Sequence, residues 1–199
     1  MKSISKIWRR VGLSARSLSR DCCGIAATEF AVIVPIMLVM FFGTVEFASG
    51  VAVDRKASLV ARTLSDLTSR STSVNDTDMT NFFAASNAIL APYPTAPIKA
   101  TISELYIDPT THKARVQWSK GSSPRAVSSN VTIPAALAVD GTYLIFSEVS
   151  YLYVPTIGYV MAKSGVNLND VAYTRPRQSN CVIYPTPAPG VALPACPTL

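Results

Sequence analysis

A long apolar segment near the amino terminus constrains this 199-residue chain more than any other feature. It extends from Ile25 to Val53 and is interrupted only by Glu29 and Glu46, so that residues 30–45 carry no charge. At a rise of ~1.5 Å per residue, a helix from Ile25 to Glu46 is about 31 Å long, close to the hydrocarbon thickness of a bilayer. The pattern therefore predicts a transmembrane helix within residues 25–53.

The charge distribution predicts how that helix is oriented. Residues 1–24 carry six Lys or Arg against the single acid Asp21, whereas residues 54–199 carry twelve Lys or Arg against nine acids. Basic residues beside a membrane helix stay in the cytoplasm. We therefore expect a single-pass membrane protein with residues 54–199 outside the cytoplasm. The high pI comes mostly from the leader, so no nucleic-acid partner is expected.

Three residues of the predicted span are unusual in hydrocarbon. Glu29 is costly there, and such a residue marks a functional position. Glu46 lies at the opposite end, where we expect its side chain to reach water at the interface; a buried pair is the alternative. Pro35 removes a backbone donor and predicts a local kink.

The four cysteines divide between the two sides of the membrane. Cys22 and Cys23 precede the span and should stay reduced, whereas Cys181 and Cys196 lie in the exported part, where disulfides persist. A Cys181–Cys196 bond would close a loop of about 15 residues, which contributes roughly 3 kcal/mol in the chain-entropy model. The alternative is two free thiols in a loose tail.

The exported part is predicted to be an α+β domain with an antiparallel sheet. The first helix should continue to about Arg70, because an apolar stripe recurs at helical spacing, formed by Ala57, Val60, Ala61, Leu64 and Leu67. We expect the stripe to pack on the domain, with a coiled-coil partner as the alternative. The boundaries are residues 1–24 for the leader, 25–53 for the transmembrane helix, 54–184 for the domain and 185–199 for a proline-rich tail.

Strand patterns follow a second helix predicted at about residues 77–90. Residues 98–107 alternate and then slip at Glu104–Leu105, which indicates a bulge. Ala114, Val116 and Trp118 alternate with polar residues and predict a hairpin with one wet face, followed by a flexible loop at 121–130. Further strands are expected at residues 142–154, as a central strand, and at 166–174.

Catalytic and metal-binding patterns are missing from the sequence. The single histidine, His112, lies beside a predicted hairpin turn and is expected to be exposed to solvent. No phosphate loop, dinucleotide fingerprint or zinc motif is present. Cys22 and Cys23 have no second pair that would complete a tetrahedral metal site. We therefore expect no catalytic residues, no metal and no cofactor, and a protein that is not an enzyme.

The membrane segment resembles a known family. A basic leader, a glycine, four residues, a glutamate and an apolar helix are the order found at the processing site of type IV prepilins. The segment is similar to the TadE-like family of tight-adherence (Tad, or Flp) pilus assembly proteins, in the runs Gly24–Phe30, Val34–Pro35 and Phe42–Phe47. Weaker similarity is found at residues 148–151 and 172–177. Thr28 and the cysteines ahead of Gly24 depart from the pattern.

The resemblance implies a non-catalytic minor pilin or pseudopilin. It implies cleavage by a prepilin peptidase between Gly24 and Ile25. It also implies that Glu29, with Phe30 beside it, acts in subunit assembly by neutralising the new amino terminus of a neighbouring subunit. The implied partners are the inner membrane, the peptidase, other Tad pilins or pseudopilins and the assembly platform. The protein would stand in the pilus or at its base.

Two other hypotheses remain open at this point. The first fifty residues could be a removed signal, since Arg9–Arg10 precedes the apolar run and small residues stand at 48–50. The chain could instead be a membrane-anchored extracytoplasmic binding domain, sensor or hydrolase. The mature amino terminus discriminates them: Ile25 for the pilin, about Val51 for the exported soluble protein and Met1 for the anchored domain.

Overall fold

The computed structural model describes residues 24–155 and 164–199, and the leader residues 1–23, including Cys22 and Cys23, lie outside the described residues. The chain divides into two compact units with the boundary between Val45 and Glu46. Helix α1 covers Ile25–Ser69 and contributes to both units. Its end at Ser69 agrees with the predicted end near Arg70.

The second unit is an α+β domain, as predicted. Helix α2 covers Asp76–Ile89. The strands are β1 (Ile98–Ile107), β2 (Ala114–Gly121), β3 (Asn130–Val131), β4 (Tyr143–Tyr153) and β5 (Val166–Thr174). They form one antiparallel sheet in the order β3-β2-β1-β4-β5. The short strand β3 lies at the end of a segment expected to be a flexible loop.

A capping box begins helix α2. The side chain of Asn75 accepts a hydrogen bond from the Asp78 backbone N–H at 2.9 Å, and the Asp78 carboxylate accepts one from the Asn75 N–H at 3.0 Å. These bonds satisfy two backbone donors that the first turn of a helix leaves without partners. They set the start of α2 at Asp76, one residue before the predicted start.

The apolar stripe of α1 packs on one face of the sheet. Four of the five predicted stripe residues, Ala57, Val60, Ala61 and Leu64, are buried with Val53 in one core cluster with Ile102, Ile145 and Val149, whereas Leu67 is half-buried. The packing prediction is confirmed and the coiled-coil alternative is wrong, because the sheet already buries this face. Two hydroxyls fix the contact, since Ser147 donates to the Ala61 carbonyl at 2.6 Å and Ser65 to the Ile145 carbonyl at 3.3 Å.

The predicted bulge is present, but its extra residue lies on the neighbouring strand. Glu104 pairs with Trp118 and Leu105 with Val116, so Gln117 of β2 has no counterpart on β1. A bulge reverses the faces to which a strand's side chains point. Trp118 therefore joins the α1 side of the sheet, whereas Val116 joins a second cluster with Leu105, Ile107, Val131, Leu144 and Phe146. The prediction of a single apolar face with a wet opposite face is wrong for β2.

A carboxyl-terminal strap, residues 176–199, connects the end of α1 to the sheet. The Arg177 N–H donates to the Ser69 carbonyl at 2.8 Å, and Ile183 exchanges backbone bonds with Thr72 (3.1 Å) and Val74 (2.9 Å). Cys181 and Ile183 are buried in a third cluster with Tyr143. The strap thus covers one end of the sheet.

Candidate functional site

The start of α1 presents the predicted processing position. Gly24 is exposed and directly precedes Ile25, the first residue of the helix. A Cβ atom added to Gly24 would meet nothing within 4 Å. The described fold therefore does not require a glycine at this position.

Glu29 and Phe30 follow within the first two turns, and both are exposed on the helix surface. At ~1.5 Å per residue, Glu29 lies about 6 Å along the axis from Ile25. The neighbouring Thr28 hydroxyl donates to the Ile25 carbonyl at 2.8 Å. Pro35 lies inside the same helix, which continues on both sides of it. The structure therefore brings Ile25, Glu29 and Phe30 together on one short helical segment.

Glu46 does not reach water, contrary to the expectation for an interfacial residue. Its side chain is only 3% exposed. The Tyr153 hydroxyl from the end of β4 donates to the Glu46 backbone carbonyl at 3.3 Å. Gly50, one turn further, lies beside the Tyr153 ring, where an added Cβ would make an ordinary van der Waals contact at 3.5 Å. Sequence reasoning could not foresee that a strand more than a hundred residues away covers this turn.

A buried carboxyl group at the centre of the domain escaped the sequence analysis. Glu104 is fully buried on β1, where its two oxygens accept hydrogen bonds from the Trp118 indole N–H at 3.0 Å and the Val182 backbone N–H at 2.5 Å. The same indole N–H also lies 2.7 Å from the Val182 carbonyl, to which it can donate. Glu104 and Trp118 thus hold one residue of the strap from both sides.

Burial dominates the titration of this group. It raises the pKa of Glu104 to about 8, although the hydrogen bonds from Val182 and Trp118 act in the opposite direction. A protonated Glu104 is therefore the main form in the folded domain at neutral pH. The break in the alternation at Glu104–Leu105 was the one sequence signal at this position, and it indicated a bulge rather than a buried acid.

The structure bonds Cys181 to Cys196, with the sulfur atoms 2.01 Å apart and the Cα atoms 5.8 Å apart. Cys181 is buried beside Tyr143, and the Tyr143 hydroxyl donates to the Pro197 carbonyl at 2.8 Å. The bond joins two parts of the strap that contact the same end of the sheet.

Loss of this bond should loosen the strap without affecting membrane insertion. We expect Cys181→Ser to lower the free energy of unfolding by about 2–4 kcal/mol, because the closed loop no longer limits the unfolded chain. Thermal unfolding and non-reducing peptide mapping of membrane-extracted protein measure the effect. Cys196→Ser should lower the free energy of unfolding by the same amount. The double variant should lose no more than either single variant, because each of the three variants removes the same disulfide bond. Two free thiols in the wild-type protein would contradict the assignment.

His112 lies in the β1–β2 connection, and its side chain is exposed. Its Nδ1 atom is 2.8 Å from an Asp140 oxygen, and its φ angle is +54°. This exposed pair of His112 and Asp140 agrees with the expectation that His112 is a solvent-exposed residue beside a turn. Within residues 24–155 and 164–199 no three His, Cys, Asp or Glu side chains are grouped in a way that could hold a metal ion.

These features define a class of protein: an α+β domain on a helix that, by length and composition, is able to cross a bilayer. Its long apolar amino-terminal helix suggests membrane anchoring. Residues 24–64 match the family model described as TadE-like protein. The resemblance predicted from the sequence is thereby confirmed, over about a fifth of the chain. No curated protein and no solved structure matches the chain significantly.

Proposed function

We propose that this protein is a minor pilin or pseudopilin that takes part in assembling a tight-adherence type IV pilus. The observation that carries the proposal is the TadE-like match, which begins at Gly24 and includes Ile25 and Glu29. The match suggests a pilus-associated protein of structural rather than catalytic function. The finer assignment rests on the chemistry of the first two helical turns.

Gly24 supports processing by a prepilin peptidase. The fold itself does not need a glycine at position 24, but the binding pocket of a peptidase that recognises this position can require one. The exposed backbone at Gly24–Ile25 is accessible to such an enzyme, and the basic leader would remain on the cytoplasmic side. Cleavage would leave Ile25 with a free ammonium group at the start of α1.

Glu29 supports a role in subunit packing. A carboxylate inside hydrocarbon is very costly unless an opposite charge lies close to it. The ammonium group of Ile25 on a neighbouring subunit can supply that charge when helices pack side by side. Exposed Phe30 next to Glu29 offers apolar contact area for the same neighbour.

The two alternative functions fit the described contacts less well. Removal of a signal near Val51 would strip residues 46–50 from the second unit, including the turn on which Tyr153 packs. If the chain were a binding or hydrolytic domain anchored by an uncleaved helix, neither Gly24 nor Glu29 would have a function. We therefore favour the inner membrane as the location, with the second unit in the periplasm and its partners among other Tad pilins, the peptidase and the assembly platform.

The mature amino terminus tests the proposal directly. We expect protein sequencing of the wild type to begin at Ile25. Gly24→Val should leave a full-length membrane protein, because a branched side chain before the scissile bond does not fit a pocket selected for glycine. Mass spectrometry of membrane-extracted protein measures both outcomes.

Ala27→Val serves as the matched control. It adds similar bulk to an exposed position three residues beyond the bond, and it should be cleaved normally. Normal trimming of Gly24→Val would refute the processing site. An amino terminus near Val51 in the wild type would instead favour the exported soluble protein.

A further inference from the structure

Exposed apolar side chains gather at one end of the second unit. A groove of about 310 Å³ is lined there by Phe47 and Val51 of α1, Tyr153 of β4, and Val166 and Leu168 of β5, and Gly50 and Asp54 complete its lining. Phe47 is 67% exposed. A groove lined almost entirely by carbon atoms is an unusual surface for a region in contact with water.

The opposite face of the same hairpin end is apolar as well. Leu152 and Val154 are exposed there and flank Gly165, where an added Cβ would lie 3.0 and 3.1 Å from their side chains. Exposed apolar side chains therefore lie on both faces at the described ends of β4 and β5, beside Asn167, which pairs with Leu152. We name the apolar groove residues (Phe47, Val51, Tyr153, Val166 and Leu168) together with Leu152 and Val154 the apolar base.

The length of the apolar sequence indicates what surrounds the apolar base. Residues 25–45 make about 31 Å of helix, enough for the hydrocarbon layer alone. The next eight residues, 46–53, add about 12 Å and carry no charge except Glu46, which is buried. A bilayer spans ~40–45 Å with both headgroup layers, so a single headgroup layer is about 5–8 Å thick. Phe47, about 3 Å beyond residue 45, thus falls within the outer headgroup layer, and Val51, about 9 Å beyond residue 45, falls at the outer edge of that layer.

The chemistry of the next turn agrees with that depth. Asp54, Arg55 and Lys56 are consecutive charges that follow on the water side of the headgroup layer. Tyr153 packs on the turn below them, with its hydroxyl bonded to the Glu46 carbonyl. Tyrosine is enriched at this level of membranes, because its ring is apolar and its hydroxyl polar.

We propose that the apolar base is seated in the outer headgroup layer of the phospholipid bilayer, so that Leu152 and Val154 of the β4 end contact lipid. This inference rests on the proposed function only in requiring that α1 span the membrane. It assigns a lipid-contacting surface to the folded domain in addition to the helix. A second copy of the chain covering the same surface is the competing outcome.

Tryptophan scanning in vesicles tests the proposal. The full-length chain, with Trp8→Phe to lower the background, is reconstituted in phosphatidylethanolamine and phosphatidylglycerol vesicles. Part of the lipid carries bromine near the headgroup end of the acyl chain. The bromine atoms should quench most of the tryptophan fluorescence that the Val154→Trp substitution adds. Buried Trp118, 5% exposed, supplies a constant baseline.

Val139→Trp is the matched control. Val139 is exposed like Val154, but it lies at the other end of β1, near Gly141, whose N–H donates to the Ile107 carbonyl. The ten residues of β1 place it roughly 30 Å from the apolar base, and its emission should be unaffected. Formation of the Cys181–Cys196 bond reports that each variant has folded.

Met40→Trp separates this inference from the anchoring on which it depends. Met40 is exposed within the apolar run and should be quenched by lipids brominated deep in the acyl chain. Quenching of Met40→Trp without quenching of Val154→Trp overturns the lipid contact while the span stands. Quenching of neither variant overturns the span itself. Emission of Val154→Trp that changes only with protein density in the membrane assigns the surface to a second copy and also overturns the proposal.

Discussion

Glu29→Ala is expected to abolish pilus assembly while the protein is still inserted and still cleaved after Gly24. Glu29 lies outside the compact unit that begins at Glu46, so the fold of that unit should not depend on it. The attraction between a carboxylate and an ammonium group is large only where water is scarce. The effect should therefore appear when subunits pack together. A deletion strain complemented with the variant, scored for surface pili by microscopy and for cleavage by immunoblot, separates these steps.

Two companion variants sharpen this experiment. Glu29→Asp keeps the charge and shortens its reach, so it should restore assembly in part. Thr28→Ala removes a polar group from the adjacent exposed position without changing the charge, and it should assemble normally. Normal piliation with Glu29→Ala would eliminate the pairing role, and the pilin assignment would then depend on the cleavage site alone.

The domain is expected to lose stability as the pH rises from about 5 to about 9. The pKa of Glu104 is raised in the fold from its ordinary value of 4.5 to about 8, so the folded state binds a proton that the unfolded chain releases. Stability from this group is complete below about pH 4.5 and is lost progressively as the pH rises through about 8. A shift of this size corresponds to roughly 3–5 kcal/mol.

Other groups around Glu104 do not reproduce this dependence. Tyr143 from β4 lies near it, and burial raises the pKa of that phenol to about 12, above the pH range in question. The strap contributes the Cys181–Cys196 bond, which does not titrate. Hydrogen bonds lower the pKa values of Asp76 and Asp108, so these groups act in the opposite direction and at more acidic pH.

Glu104→Gln tests the assignment. Gln keeps the volume and cannot ionise, so the thermal midpoint of the variant should be nearly flat between pH 5 and 9. The variant should be somewhat less stable than the wild type at pH 5, because the amide cannot accept both bonds from Trp118 and Val182. Near-ultraviolet circular dichroism of the full chain in detergent measures the midpoints.

Glu148→Gln is the control for this series. It removes a carboxylate from the same sheet, one that pairs with Arg125 at 2.6 Å near the surface, and it should keep the wild-type pH dependence. Equal midpoints for the wild type at pH 5 and pH 9 would mean that Glu104 is ionised throughout. The hydrogen bonds would then offset burial fully.

Local patterns in the sequence determined much of the fold. The period of the apolar residues placed the end of α1 within a residue, and the polar run at residues 71–78, which ends in residues suited to an N-cap, placed the start of α2 within a residue. The break in the alternation of apolar and polar residues at Glu104–Leu105 placed the register shift between β1 and β2. These features depend on neighbours close in the chain, which is why periodicity and capping chemistry were sufficient to find them.

The errors concern contacts between distant parts of the chain. Gln117 was expected to face water, yet its amide bonds to the backbone of Leu199, 82 residues away. Glu46 was expected at the interface and is covered by the end of β4. The partners of Glu104 include Val182, in a part of the domain for which the sequence predicted neither a helix nor a strand. Hydrophobic pattern alone does not reveal which polar residue a distant segment will bury.

The hydrogen bond between Glu104 and Val182 also sets an order of events during biosynthesis. The two residues are 78 positions apart in the chain. At synthesis rates of ~5–20 residues per second, the ribosome adds Glu104 roughly 4–16 seconds before it adds Val182, whose N–H is the donor. Over that interval the β1–β2 hairpin exposes a carboxylate and an indole that the finished domain buries. A nascent chain is therefore vulnerable to aggregation and proteolysis until its last segment has been made.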